Sequence, residues 1–279
     1  MRDLQITIPT EKGDISLQAQ VAEEWDELTR KQLLTVMLIF SVVEDAIQRK
    51  RLLLKTLLHF PDARFDALPA WVLVDLLHLT DFLLEHEPQK PLTKQLLPSI
   101  RPQLTSCWYH GPADLLVNVT FSEFTTAEKY FFRYLKSGNA SSLDCFIATL
   151  YRPQRWFHSL RRRLGNYQGD NRTPFNEHLV VTRAQKLARL NDTEKAAILT
   201  WYRGCRLMLE RLYPDVFSVE SEESKSNKVS SWEPVLRGMA GGKFGDVAAT
   251  GKAQAHQILA EMNEQLEEAK KIKSKHENQ

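Results

Sequence analysis

Cysteine is scarce in this chain. The three that occur, Cys107, Cys145 and Cys205, are far apart and odd in number, which argues against a disulfide scaffold and fits a reducing compartment. Metal-binding spacings are missing as well. The eight histidines are scattered, with no HExxH and no Cys/His pairing at zinc spacing, so no metal and no cofactor are expected. His78, Asp81 and His86 come closest to a ligand set, and on a helix only the first two share a face. There is no GxSxG nucleophile elbow. Gly241-Gly242-Lys243-Phe244-Gly245 lacks the GxxxxGK[ST] spacing and no strand precedes it, so it reads as a turn between helices. These absences point away from an enzyme.

An excess of charge is also lacking. The formal net charge is +2, from 37 basic and 35 acidic residues. A balanced chain has no global field to draw in nucleic acid or a membrane, so such binding has to come from a local patch. The longest apolar run, residues 33–43, contains Thr35 and Ser41 and is too short to span a bilayer. No apolar segment follows Met1 in the manner of a signal peptide. The expected location is the cytoplasm, with no membrane partner.

What is present is helical. The chain of 279 residues is 43% hydrophobic, enough for one large core with appendages or for two small domains. Leu4, Ile6 and Ile8, then Ile15, Leu17, Ala19 and Val21, alternate with polar residues about a turn at 9–13, which predicts a β-hairpin over residues 1–22. From Glu23 the period becomes helical. Helices are expected from Trp25 to Val43, from Ile47 to Leu58, and from Leu68 to Leu83, where Pro69 suits a first turn. Pro88, Pro91, Pro98 and Pro102 break the chain into turns and extended pieces. Two more helices are expected over 175–190 and 193–213. The Ser/Glu/Lys-rich stretch 214–231 reads as a flexible linker. A small helical module follows over 232–279, and its last helix carries Ile258, Met262 and Leu266 on one stripe. The expected fold is mainly α, a body (1–213) with an N-terminal β-hairpin and a C-terminal helical module.

Two short helices in the middle carry the strongest signal. The first begins near T-F-S-E-F (120–124) and bears Phe121, Phe124, Tyr130, Phe131 and Tyr134. After a break at 137–139, the second ends in L-D-C-F-I-A-T-L-Y-R-P (143–153). This aromatic hairpin either packs or docks. The basic segment that follows interleaves Arg155, Arg161, Arg162 and Arg163 with Trp156, Phe157 and Tyr167. It can neutralise phosphates and stack bases, or lie on the surface, or grip an acidic protein.

The hairpin motif resembles a pattern of bacteriophage and prophage proteins encoded among tail genes, roughly T-F-G-E-F-[I/T]-D-x-x-x-Y … L-x-x-[F/L]-[I/V]-A-x-L-Y-R-P. Other stretches resemble it too: Ile6-Thr7-Ile8-Pro9, W-Y-R-G-C-R (201–206), and W-E-P-V-L with M-A-G-G-K-F-G-D-V (232–247). The last is similar to the C-terminal extension of tail assembly chaperones, which coat the tape-measure protein while tube subunits polymerise around it. Thr126 departs from the pattern, standing where an acidic residue is usual. The final helix is also longer and more charged than in typical extensions. The resemblance implies a non-enzymatic tail-assembly chaperone in the bacterial host cell, with a tape-measure-like protein or another tail component as partner, or a second copy of itself. The residues expected to meet the partner are Phe121, Phe124, Tyr130, Tyr134, Trp232, Phe244, Ile258, Met262 and Leu266. For each, the alternative is core packing. The competing reading is a nucleic-acid-binding accessory protein of a mobile element that uses 152–163.

Overall fold

The computed structural model describes residues 1–8, 15–103, 105–156, 170–218, 232 and 244–277. The fold is mainly α, with the expected β-hairpin at the N-terminus and one further small sheet. No helix among the described residues is long and apolar enough to cross a membrane. The chain divides into two compact units: Met1–Leu96 with Asp192–Gly204, and Leu97–Asn191 with Cys205–Gln279.

In the first unit, β1 (Arg2–Ile8) pairs antiparallel with β2 (Ile15–Val21), Arg2 opposite Val21 and Ile8 opposite Ile15. The expected turn at 9–13 lies outside the described residues. The first long helix starts later than its apolar period suggests. Trp25–Glu27 is a 3-10 turn, and α1 is Arg30–Val42. Its start is fixed by a capping box: the Thr29 hydroxyl accepts from the Gln32 amide, and the Gln32 side chain accepts from the Thr29 amide. Helix α2 (Ala46–Leu58) is capped by Asp45 and ends at His59, which takes φ 53°. Its inner face, Leu53, Leu54, Leu57 and Leu58, is buried, and each such leucine contributes about 1.5–3 kcal/mol of transfer free energy.

A short helix, α3 (Asp62–Asp66), appears where the sequence reads as a stop, because Phe65 turns into the core. The expected helix over 68–83 is segmented into α4 (Ala70–Leu76), a 3-10 turn (Leu77–Thr80) and α5 (Asp81–Leu84).

The second unit contains a sheet that the sequence does not announce. Strands β3 (Ser99–Ile100), β4 (Tyr109–His110) and β5 (Arg152–Pro153) lie antiparallel in that order. Two-residue strands carry no periodicity to read. Around it lie α6 (Phe121–Ser137), α7 (Ala140–Leu150) and α8 (Val180–Leu187), the last preceded by a 3-10 turn at Glu177–Leu179. Helix α9 (Asp192–Leu212) gives its first part to the first unit and the rest to the second. Helices α10 (Val247–Lys252) and α11 (Ala255–Glu277) complete the second unit.

The expected linker at 214–231 starts too early. Residues 214–218 are helical, with Val216 and Phe217 buried. Residues 219–231 lie outside the described residues.

Candidate functional site

The aromatic hairpin organises the second unit. Helix α6 starts at Thr120, whose hydroxyl accepts from the Glu123 amide, and ends at Gly138 in the left-handed region, φ 65°. Gly supplies that conformation without steric cost. Asn139 then caps α7, whose residues from Ser142 to Leu150 are all buried. Such complete burial explains why that segment reads as an almost unbroken apolar run.

Two acidic residues of α6 are fully buried, Glu123 and Glu128. Burying a charge without a partner is costly, so each carboxylate must find a cation. Glu123 Oε1 meets Arg172 Nη1 at 2.6 Å, and Glu123 Oε2 meets Arg152 Nη1 at 3.0 Å. Asp170 completes the group. It accepts from Arg172 Nε at 2.8 Å and Nη2 at 3.0 Å, a two-pronged pairing, and lies 3.4 Å from Arg152 Nη2. Arg172 also donates to the carbonyls of Leu150 (2.9 Å) and Asn118 (3.2 Å). A cation on the last carbonyl of α7 suits the helix dipole. Phe175 lies against the Arg152 guanidinium, 5.8 Å from ring centroid to Cζ.

The two buried arginines respond differently to their surroundings. Burial lowers the pKa of Arg152 despite Glu123. For Arg172, burial pulls in the same direction, but Glu123 and Asp170 outweigh it and raise its pKa. Glu128 pairs with Arg206 Nε at 3.0 Å, and that guanidinium also contacts Glu210 and the rings of Phe132 and Phe217. These carboxylates accept from guanidiniums already committed to the fold. Such a set anchors segments of the fold to one another. Among the described residues, no cluster of His, Cys, Asp or Glu could hold a metal ion. His78 binds the Asp75 carbonyl and Asp81 pairs with Lys50, so the nearest sequence candidates are engaged elsewhere.

The C-terminal stretch joins this hairpin. The Trp232 ring lies 6.2 Å from Phe121, 5.4 Å from Phe124 and 5.8 Å from Phe217, edge to face in each case, the preferred aromatic geometry. The Phe121 amide donates to Ala253 O at 2.8 Å, and the Ala255 amide to Val119 O at 2.9 Å. His256 ties the start of α11 to a strained turn. Its Nε2 donates to Leu115 O (2.8 Å), and its Nδ1 faces the Tyr213 hydroxyl (3.0 Å). Leu115 and Leu116 both take positive φ, 50° and 60°, at about 1–3 kcal/mol each.

The expected partner contacts therefore divide. Phe121, Phe124, Trp232 and Ile258 are buried inside the second unit. As docking groups they are corrected: these apolar side chains fill the core that the hairpin cannot close alone. Tyr130, Tyr134, Phe244, Met262 and Leu266 stay partly exposed. Arg155 is partly exposed, while Arg161, Arg162 and Arg163 lie outside the described residues. Of the motif residues, Glu123 and Arg152 gain roles the sequence does not reveal. Arg172 and Asp170 carry no motif at all, and only the need of a buried Glu123 for cations could have pointed to them.

Comparison with known proteins finds no matching family model, no matching curated protein and no matching solved structure.

Proposed function

We propose that this chain is a non-enzymatic tail-assembly protein of a phage or prophage, a chaperone that binds and masks a tape-measure-like protein while the tail tube forms. The observation that carries the reading is Trp232 packed against Phe121 and Phe124. Trp232, from the second of the two stretches that resemble tail proteins, packs in the same core as Phe121 and Phe124 from the first.

The surface left for a partner is what that core does not consume. On α11, Ile258 and Leu259 are buried, Met262 and Leu266 are partly open, and Ile272 is exposed. Met262 and Leu266, one turn apart, share one face of the helix and continue from the buried Ile258 toward solvent. Tyr130 and Tyr134, one turn apart on α6, offer amphipathic contacts of the kind enriched at interfaces. A long helical partner rich in apolar residues is the occupant this chemistry fits. Masking needs a contact firm enough to prevent aggregation and weak enough for the growing tube to displace it.

The test is a tagged pull-down from producing cells, with and without nuclease, read by mass spectrometry. A large helical tail protein recovered irrespective of nuclease, and lost with Met262→Glu/Leu266→Glu, supports the reading. Recovery of nucleic acid and its usual proteins alone, lost on nuclease treatment, sinks it.

A further inference from the structure

One buried cation of the second unit has no part in the chaperone reading. Arg183 stands on the inner face of α8 with Val180, Ala184 and Leu187, and is 7% exposed. Its Nη1 is shut away from solvent and finds no hydrogen-bond partner, and no carboxylate pairs with it among the described residues. The acids of the charge cluster are already taken. Glu123 is shared between Arg152 and Arg172, and so is Asp170. Burial draws the pKa of Arg183 down, and Tyr109 and Glu123, which act on it through space, do not make up the difference. A guanidinium nevertheless stays ionised in a protein, so the described residues leave one buried positive charge uncompensated. Such a charge is costly. An apolar side chain of similar volume would fill that place on the helix without the penalty.

We propose that Arg183 anchors a binding site for a carboxylate. One uncompensated positive charge calls for one negative charge. A carboxylate supplies it, and its two oxygens match the guanidinium fork. A phosphoryl group carries about −1.5 to −2 and would overshoot. Arg183 is also the one of the three arginines with an opening toward solvent, at 7% exposure against 1% for Arg152 and for Arg172. A small organic acid and an acidic side chain of a polypeptide bring the same carboxylate chemistry, and their sizes tell them apart.

The test is thermal melting of the full chain in formate, in a tetraglutamate peptide and in chloride, at matched ionic strength. A ligand that binds only the folded state stabilises it by mass action, so Tm is expected to rise by about 2–4 °C over chloride once the carboxylate exceeds its dissociation constant severalfold. A rise with formate assigns the site to a small acid, and a rise with tetraglutamate alone assigns it to an acidic polypeptide. Arg183→Met is expected to abolish the rise and to melt at or above the parent in chloride, because an apolar stem replaces an unpaired buried charge. Arg183→Lys keeps the charge without the fork and is expected to respond more weakly. Three results overturn the proposal. One is a parent chain whose Tm neither carboxylate raises beyond chloride. Another is an Arg183→Met chain that responds as the parent does. The third is Arg183→Met melting well below the parent in chloride, which would mean that the chain itself already satisfies the guanidinium.

Discussion

Glu123 and Arg152 meet through Oε2 and Nη1 at 3.0 Å, both side chains shut away from solvent. The first is the acidic residue of T-F-S-E-F and the second is the arginine of L-Y-R-P. The two ends of the aromatic hairpin motif thus touch, backed by Arg172 and Asp170. A pattern that looks like a recognition signature is in physical terms a closure device.

The closure should be expensive to break from one side. Glu123→Ala leaves two buried guanidiniums facing each other with only Asp170 between them. Removing one partner of a buried pair costs about 3–5 kcal/mol, and a loss of that size is expected in urea unfolding. A loss under about 1 kcal/mol, the range of an exposed pair, would contradict the assignment.

Two glycines separate close approach from mere proximity. A Cβ on Gly204 would overlap the Leu92 carbonyl oxygen and lie 2.9 Å from the carbonyl carbon, and backbone cannot rotate away. Trp201 grips the same segment, donating from Nε1 to Thr93 O at 3.0 Å. Gly204→Ala should destabilise by about 1–3 kcal/mol or more as an overpacked contact. On Gly251 the Cβ would meet only the Ser122 hydroxyl closely, with Ser122 Cβ at 3.6 Å. A hydroxyl can turn aside, and alanine gains roughly 0.5–1 kcal/mol within a helix. Gly251→Ala should therefore be near neutral. Thermal melting of the two variants checks the contrast, and equal losses would refute it.

Trp232 offers a second contrast. Its ring fills the space between Phe121, Phe124 and Phe217, while its Nε1 is buried and finds no hydrogen-bond partner among the described residues. Trp232→Ala should cost about 3–5 kcal/mol, as large-to-small changes in a core do. Trp232→Phe keeps an aromatic edge and removes the orphan donor, so it should lose much less. Denaturant midpoints for the pair decide it. A phenylalanine variant as weak as the alanine one would mean the indole N–H matters.

Alkaline pH should weaken the fold. Burial raises the pKa of Tyr109, Tyr130 and Tyr213 above the ordinary 10.0, and burial with Asp144 raises the Cys145 thiol above 9.0. Each folded group holds its proton to higher pH than the unfolded one. The unfolded state therefore binds fewer protons in that range, and stability falls as pH rises. The contribution is intact below about pH 9 and declines above it, first through Cys145 and then through the tyrosines. Urea unfolding at stepped pH reads this directly, and stability rising from pH 9 to 11 would contradict it.

Much of the architecture is legible in the sequence because it rests on period and caps. The alternation of Leu4, Ala19 and Val21 marks the hairpin, and the apolar period of Leu53, Leu54, Leu57 and Leu58 marks α2. The aromatic hairpin is bounded by Thr120, Gly138 and Asn139, all cap residues. What escapes is set by tertiary contact. The sheet pairs Tyr109 with Pro153 through strands too short to show a pattern. Helix α3 exists because Phe65 has a pocket to fill. Exposure also escapes: Phe121 and Tyr134 look alike in sequence, yet the first is core and the second reaches solvent. The arginines of the charge cluster are invisible for a related reason. Arg172 gains its meaning only from Glu123, and no local rule couples two such distant positions.

The open stripe of α11 is the surface proposed to mask an aggregation-prone tail protein. The most direct test is co-expression with the tape-measure protein of the same phage or prophage, followed by measurement of that protein in the soluble fraction. A soluble partner is predicted with the parent chain and an aggregated one with Met262→Glu/Leu266→Glu, a variant expected to melt like the parent because both side chains are partly exposed. A tape-measure protein equally soluble with and without this chain would contradict the masking role.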